Sequence, residues 1–326
     1  MRYTINMTRK NAIHTWLFIN MIGAILIGCE QPTNQPKKSG TALIVLGTIQ
    51  DAGSPHIGCR KSCCKALFDK ADSSRLVTAL GLFDANTNKK YLFEASPNMP
   101  QQLKKLKAFA MPSDKELPDG IFLTHAHIGH YAGLMYLGKE AINSKNVPVY
   151  AMPKMQHFLS NNGPWNQLVT TKNIALIPLE HKQTVLLSKD LEITPIVVPH
   201  RDEYSETVGF RIQGPNRSVL FIPDIDKWEN WEIDITDTLK NVDYAFLDAT
   251  FYSGKEVNFR DISEIPHPFI IETMALFKHL PKREKEKIFF IHLNHTNPAL
   301  DPNSEASRTI EKNGFKIAHI NKVFDL

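Results

Sequence analysis

Three imidazoles are packed into six residues of Thr124-His125-Ala126-His127-Ile128-Gly129-His130, directly after the apolar run Gly120-Ile121-Phe122-Leu123. If the run is a strand and the histidines occupy the turn at its end, His125 and His127 project together and His130 follows one turn later. That is a metal-site arrangement. Three more polar residues sit where an apolar strand gives out. His200 follows Ile196-Val197-Val198-Pro199, Asp224 follows Leu220-Phe221-Ile222-Pro223, and His292 follows Ile288-Phe289-Phe290-Ile291. Singly, each reads as a cap or turn residue. In the order His, Asp, His, behind a triple-histidine turn, they read as donors to one centre.

A divalent metal held by imidazoles and a carboxylate lowers the pKa of bound water from about 16 toward about 7, so the expected chemistry is hydrolysis. The catalytic residues expected beside the metal are Asp224, to orient the water, and His267 or His295, to protonate the leaving group. His295, three residues past His292, is an alternative ligand. Asp202 and Glu203, adjacent to His200, read either as supporting contacts or as solvated loop charges.

A second cluster lies in Gly53-Ser54-Pro55-His56-Ile57-Gly58-Cys59-Arg60-Lys61-Ser62-Cys63-Cys64, where His56, Cys59, Cys63 and Cys64 fall within nine residues. Thiolates plus one imidazole suit a structural zinc site, and a Cys59–Cys63 disulfide with one free thiol is the alternative.

These residues have to be positioned by alternating elements. Short β-branched runs at 42–47, 90–95, 120–124, 148–151, 191–198, 208–212, 218–222, 244–247 and 287–291 read as strands. Amphipathic segments at 99–109, 131–142, 154–159, 236–240, 269–280 and 303–313 read as helices. The pattern predicts an α/β chain of two sheets with helices on their outer faces. No internal repeat or second linker divides it, so one domain over 42–326 is expected.

The N-terminus reads as an address. Arg2, Arg9 and Lys10 precede an apolar stretch from Trp16 to Gly28 that is short for a bilayer span, with no acidic residue before Glu30. The segment ends in Leu26-Ile27-Gly28-Cys29, which resembles the lipobox of bacterial lipoproteins. That resemblance implies a signal peptide over 1–28, lipidation of Cys29 and an extracytoplasmic, membrane-anchored domain in the bacterial cell envelope. Residues 29–41, with Pro32, Pro36, Lys37 and Lys38, read as a polar tether. Removing 1–28 takes away three positive residues and no negative ones, lowering the formal charge from +4 to +1. No nucleic-acid partner is suggested, and the expected partners are a small-molecule substrate and the membrane.

Over nearly all of 41–326 the chain resembles the metallo-β-lactamase-fold hydrolases, whose first motif is His-x-His-x-Asp-His. His125, His127 and His130 match its histidines, and His200, Asp224 and His292 fall on the later ligands. The resemblance implies an αββα sandwich of two mixed sheets flanked by helices, with zinc as the cofactor, as one or two divalent ions, and iron or manganese as alternatives. It implies one metal site from His125, His127 and His200, a second from His130 and His292, and Asp224 bridging both. Gly129 stands where the motif has its aspartate and has no side chain to offer. The expectation is a weakened second site, restored by Gly129→Asp.

Asp248-Ala249-Thr250-Phe251 followed by His267 is similar to the C-terminal half of the tRNase Z branch, where a histidine in the position of His267 lies near the scissile phosphate. A closer likeness, through Gly47-Thr48-Ile49-Gln50-Asp51-Ala52-Gly53, the cysteine cluster, 200–210 and 292–298, is to the pyrroloquinoline-quinone biosynthesis protein B-like subfamily. It implies iron-dependent hydroxylation as the alternative to hydrolysis. A third reading is a metal-binding lipoprotein without turnover.

Overall fold

A computed structural model describes residues 40–110, 115–257, 261 and 265–326. The expected signal segment, Cys29 and all of the tether before Gly40 lie outside the described residues. Among those described, no helix is long and apolar enough to cross a membrane.

The chain first builds β1 (Thr41–Gly47), β2 (Ala79–Asp84), β3 (Lys89–Phe93), β4 (Gly120–Phe122), β5 (Val147–Ala151) and β6 (Ile174–Pro178). It then builds β7 (Val185–Ser188), β8 (Leu191–Val197), β9 (Val208–Gln213), β10 (Ser218–Ile222), β11 (Tyr244–Asp248), β12 (Ile288–Ile291) and β13 (Lys316–Ile317), and closes with β14 (Val323–Asp325). Two seven-stranded sheets result, in the orders β14-β1-β2-β3-β4-β5-β6 and β13-β12-β11-β10-β9-β8-β7. Both are mixed: β1, β2 and β3 pair antiparallel before β3 to β6 run parallel, and β8, β9 and β10 pair antiparallel before β10 to β13 run parallel.

Side-chain alternation turns each sheet into a divider between two cores. Leu43 and Val45 of β1 enter the core between the sheets, whereas Ile44 and Leu46 face the helix Met99–Phe109 on the outside. Val219 and Phe221 of β10 likewise point inward, and Leu220 and Ile222 meet Ile235, Leu239 and Phe277 outside. At the centre Phe93, Phe122 and Phe210 pack with ring centroids 5.0–5.7 Å apart.

The same direction rule assembles the site. β1, β3 and β4 run one way in their sheet, and β8, β10, β11 and β12 run one way in theirs, so their C-terminal ends collect along one edge of each sheet. Backbone bonds join the two edges. Val208 N–H donates to Thr124 C=O, Gln50 N–H to Leu293 C=O, and Leu293 N–H to Thr48 C=O at 2.8–3.1 Å.

Several expected elements differ. The segment 131–142 is a short helix Ile128–Tyr131 and a 3₁₀ turn Ala132–Leu137, cut off where Asn143 and Ser144 N–H groups turn back onto Gly138 and Leu137 carbonyls. β2 escapes the sequence pattern because it is buried on both faces and so shows no alternation. β7, β13 and β14 are edge strands of two to four residues.

Candidate metal centre

The histidine turn after β4 delivers two nitrogens to one place: His125 Nε2 and His127 Nδ1 are 2.8 Å apart. Asp224, following β10, reaches them from the other sheet. Its Oδ2 lies 3.2 Å from His125 Nε2, 3.8 Å from His127 Nδ1 and 3.7 Å from His130 Nε2, and its Oδ1 lies 3.3 Å from His200 Nε2. Donor atoms of His125, His127, His200 and Asp224 all lie within 4.8 Å of one another. A second group within the same spacing is Asp51, His130 and His292, and a third joins Asp224, Asp248 and His292. The structure thus brings all six sequence-derived ligand positions onto one rim.

The rings are held by what lies behind them. His200 Nδ1 bonds Asp226 Oδ1 at 2.9 Å, His125 Nδ1 bonds Thr124 Oγ1 at 2.8 Å, and His292 Nδ1 bonds Thr250 Oγ1 at 3.0 Å. His130 Nδ1 faces Glu94 Oε1 at 3.3 Å, too poorly aligned for a hydrogen bond. Each contact engages Nδ1 and turns Nε2 toward the shared space, as metal-binding histidines are oriented by carboxylates and hydroxyls. Glu94 and His292 both adopt left-handed backbone, φ 75° and 66°, a strain of about 1–3 kcal/mol that the surrounding bonds must hold.

Burial pulls the pKa of His130 and His200 down, but carboxylates win. Glu94 leads for His130 and Asp224 for His200, and both are pushed up to about 9. His125 goes well below its ordinary value through burial and the nearby His130. Burial opposes ionisation of Asp224, yet His200, His267 and His292 hold its carboxyl well below the usual range.

The donor set fits a divalent cation on one structural test. His130 Nε2, His200 Nε2, His292 Nε2 and Asp224 Oδ1 are buried without a hydrogen-bond partner among the described residues. Leaving one such group unpaired costs about 1–3 kcal/mol, and cations at the two neighbouring donor groups would satisfy all four.

His267 lies at the same rim. Its Nδ1 is 2.8 Å from Asp248 Oδ2 and 3.1 Å from Asp224 Oδ1, and these carboxylates outweigh burial to hold its pKa well above the ordinary value. Asp248 is itself fixed by Ile225 and Thr250 N–H groups and the Thr250 hydroxyl. His295 is a correction. It belongs to none of the donor clusters; it stacks on His56 with centroids 4.5 Å apart. Burial, then His56 and Lys61, drive its pKa to about 4, so at neutral pH it lacks the proton that the acid role requires.

Other expectations also shift. Asp202 is exposed and pairs with Lys154 at 3.2 Å; the carboxylate behind His200 is Asp226. Gly129 leaves no gap for an aspartate: a Cβ built there would lie 1.7 Å from Asp51 Cβ and 2.5 Å from its Cα. Gly129→Asp therefore does not restore a ligand, because it collides with the residue already in that space. Sequence reasoning gave no role to Asp51, Glu94, Asp226 or Asp248. The available signal was their position at or just past the ends of β1, β3, β10 and β11.

In the cysteine loop, Cys59, Cys63 and Cys64 are free thiols with sulfur atoms within 4.8 Å. Cys59–Cys63 and Cys63–Cys64 are separated by 3.7 and 4.0 Å, matching the roughly 3.8 Å edge of a tetrahedral zinc–thiolate site with ~2.3 Å bonds. The His56 imidazole is not one of these donors: its Nδ1 accepts Gly58 N–H at 3.0 Å and its ring covers His295, while its backbone N–H donates to Cys64 Sγ at 3.4 Å. Burial and the neighbouring thiols push Cys63 up to about 12.

The β-lactamase superfamily domain profile matches residues 89–293. Coenzyme PQQ synthesis protein B of Xanthomonas campestris pv. campestris is 23% identical over 303 residues, spanning 85% of this chain and 97% of that protein. Its counterpart in Methylobacterium nodulans is 24% identical with the same coverage. Among solved structures, Zn²⁺-bound PqqB from Methylobacterium extorquens superposes with a TM-score of 0.72 at 21% identity, covering 87% of this chain and 100% of that one. A diphosphatase from the PhnP family superposes at 0.60 with 20% identity, covering 88% and 97%. The two-sheet sandwich, the donor rim and the matched profile agree: the chain belongs to the β-lactamase superfamily, with the metallo-β-lactamase fold and a rim suited to divalent metal.

Proposed function

We propose that this protein is a zinc-dependent hydrolase acting on an ester, amide or phosphodiester bond of a small molecule. The supporting observation is the convergence of the unpartnered Nε2 atoms of His130 and His200 on Asp224, with a donor nitrogen of His292 within 4.8 Å of the same carboxylate. His125, His127, His200 and Asp224 would hold one ion, with His130 and His292 beside a second position that Asp224 also borders. A divalent cation held there would polarise a carbonyl or phosphoryl oxygen and make water nucleophilic at neutral pH.

The chain's own groups supply the rest. Asp226 fixes the His200 ring, so that ligand needs no reorientation, and Glu94 places a carboxylate behind the ring of His130. His267 is fixed through Nδ1 by Asp248 and, when protonated, keeps its Nε2 proton for the departing group. His127 and His267 are partly open, 18% and 12% exposed, as is Asp51, so substrate approaches from their side.

The deciding experiment combines metal analysis with a screen of phosphodiester, lactone, amide and thioester substrates, using His127→Ala as the control. Metal-dependent turnover that His127→Ala loses supports hydrolysis. Bound iron with oxygen consumption and no hydrolysis overturns it in favour of hydroxylation. An unchanged metal-to-protein ratio in His127→Ala overturns the ligand assignment.

We further propose that the domain is anchored to a membrane through lipidated Cys29, on the strength of Leu26-Ile27-Gly28-Cys29 behind a basic, acid-free leader. Cys29→Ala should leave the chain unprocessed, as read by fractionation and intact mass. A cleaved wild type without lipid would refute the anchor.

A further inference from the structure

We infer that Asp51 supplies the second metal position with the carboxylate that Gly129 lacks, so the ligand has moved to a different segment of the chain while its place in space is kept. This rests on the metal-site reading above and deepens it. The Asp51 Cβ lies only 1.7 Å from where a side chain at 129 would begin, so its carboxylate starts from almost the same point as that of a motif aspartate. From there it comes within 4.8 Å of donor nitrogens of His130 and His292. Both imidazoles are fully buried, and the Nε2 of each has no hydrogen-bond partner among the described residues.

The backbone explains why Asp51 can be held there. Beyond β1 the chain is bridged to the residue after His292: Ile49 pairs with Leu293, Gln50 N–H donates to Leu293 C=O at 2.9 Å, and Leu293 N–H donates to Thr48 C=O at 2.8 Å. Gly53 N–H closes a turn onto Gln50 C=O at 2.9 Å. Asp51 is thereby set by the strand end that sets His292, and a glycine at 129 is the condition for its fit. Any larger residue at 129 meets the Asp51 backbone as well as its side chain. The carboxylate, being anionic and hard, completes with two imidazoles the donor set of a divalent ion.

The experiment is a zinc titration of metal-stripped full-length protein, with anomalous X-ray scattering to place each ion. Wild type should show an ion between Asp51, His130 and His292. Asp51→Ala should lose it, or bind it ~100-fold more weakly, while the position at His125, His127 and His200 stays filled. Gly129→Ala removes no ligand yet should give the same selective loss by displacing Asp51. Asp51→Asn, nearly isosteric, provides the same readout should Gly129→Ala fold poorly. Wild-type affinity at this position in both Asp51 variants would overturn the proposal, as would a wild type that fills only the first position; the hydrolase reading survives either result. Zinc at neither rim position would overturn both.

Discussion

The donor rim and the cysteine loop both gather metal-binding side chains, but on opposite plans. The rim draws His125, His200, Asp224 and His292 from the ends of four strands in two sheets, and its geometry exists only once the sandwich has closed. The loop holds Cys59, Cys63 and Cys64 within six residues, where one turn and the start of a helix suffice. A rim built from the whole fold should be stiff before metal arrives; a loop built locally would gain order from any metal its thiols hold. The two meet at Asp51, which leads directly into the loop, and at His295, on which His56 stacks.

The contrast can be broken most severely at Asp224. Asp224→Ala removes the carboxylate that faces His125, His127, His130, His200 and His267. It should empty both rim positions and reduce turnover on the order of a thousandfold, while any metal held by the thiols stays bound. Metal analysis reads this directly, and loss of thiol-bound metal in the same variant would show that the regions are not independent. Cys63→Ser tests the other side. It should lower stability by about 2 kcal/mol, near 3 °C in melting temperature, and weaken zinc at the Asp51 position about tenfold through the loosened loop. The His125 position should keep its affinity, and an equal loss at both would remove the distinction.

The smallest effect sharpens the loop's surroundings. Glu256, which lines one cavity with Cys63 and a neighbouring one with Cys59, is pushed up to about 7 by burial despite N–H donors from Ser253 and Tyr252. A carboxyl whose folded pKa exceeds its ordinary 4.5 contributes stability fully below pH 4.5 and loses it as pH rises through about 7. Glu256→Gln, which keeps an acceptor for Ser253 N–H, should flatten this slope and be about 1 kcal/mol more stable than wild type at pH 8. Melting curves between pH 4.5 and 8 check it; parallel slopes in the two proteins would contradict the assignment.

Much of the architecture was legible because the strands near the site carry short apolar runs that end abruptly. Nine such runs correspond to strands, and the helix 99–109 is found with the same bounds. His125, His127, His130, His200, Asp224 and His292 stood out because ionisable side chains at the ends of buried strands are costly unless they bind something. His295 carried the same local signal and misled, since its neighbour His56 comes from a remote loop.

The amino-acid order alone determined which residues can donate to a metal, because donor chemistry belongs to side-chain type and strand ends announce themselves by hydropathy. Which donors share a space was decided by the tertiary structure. Glycine at 129 reads as a missing ligand when the chain is a line; only pairing of the segment beyond β1 with Leu293 shows that Asp51 already fills the place. The physical reason is that a void and its occupant are properties of distance, and residues 51, 129 and 292 become close only through the closed sandwich.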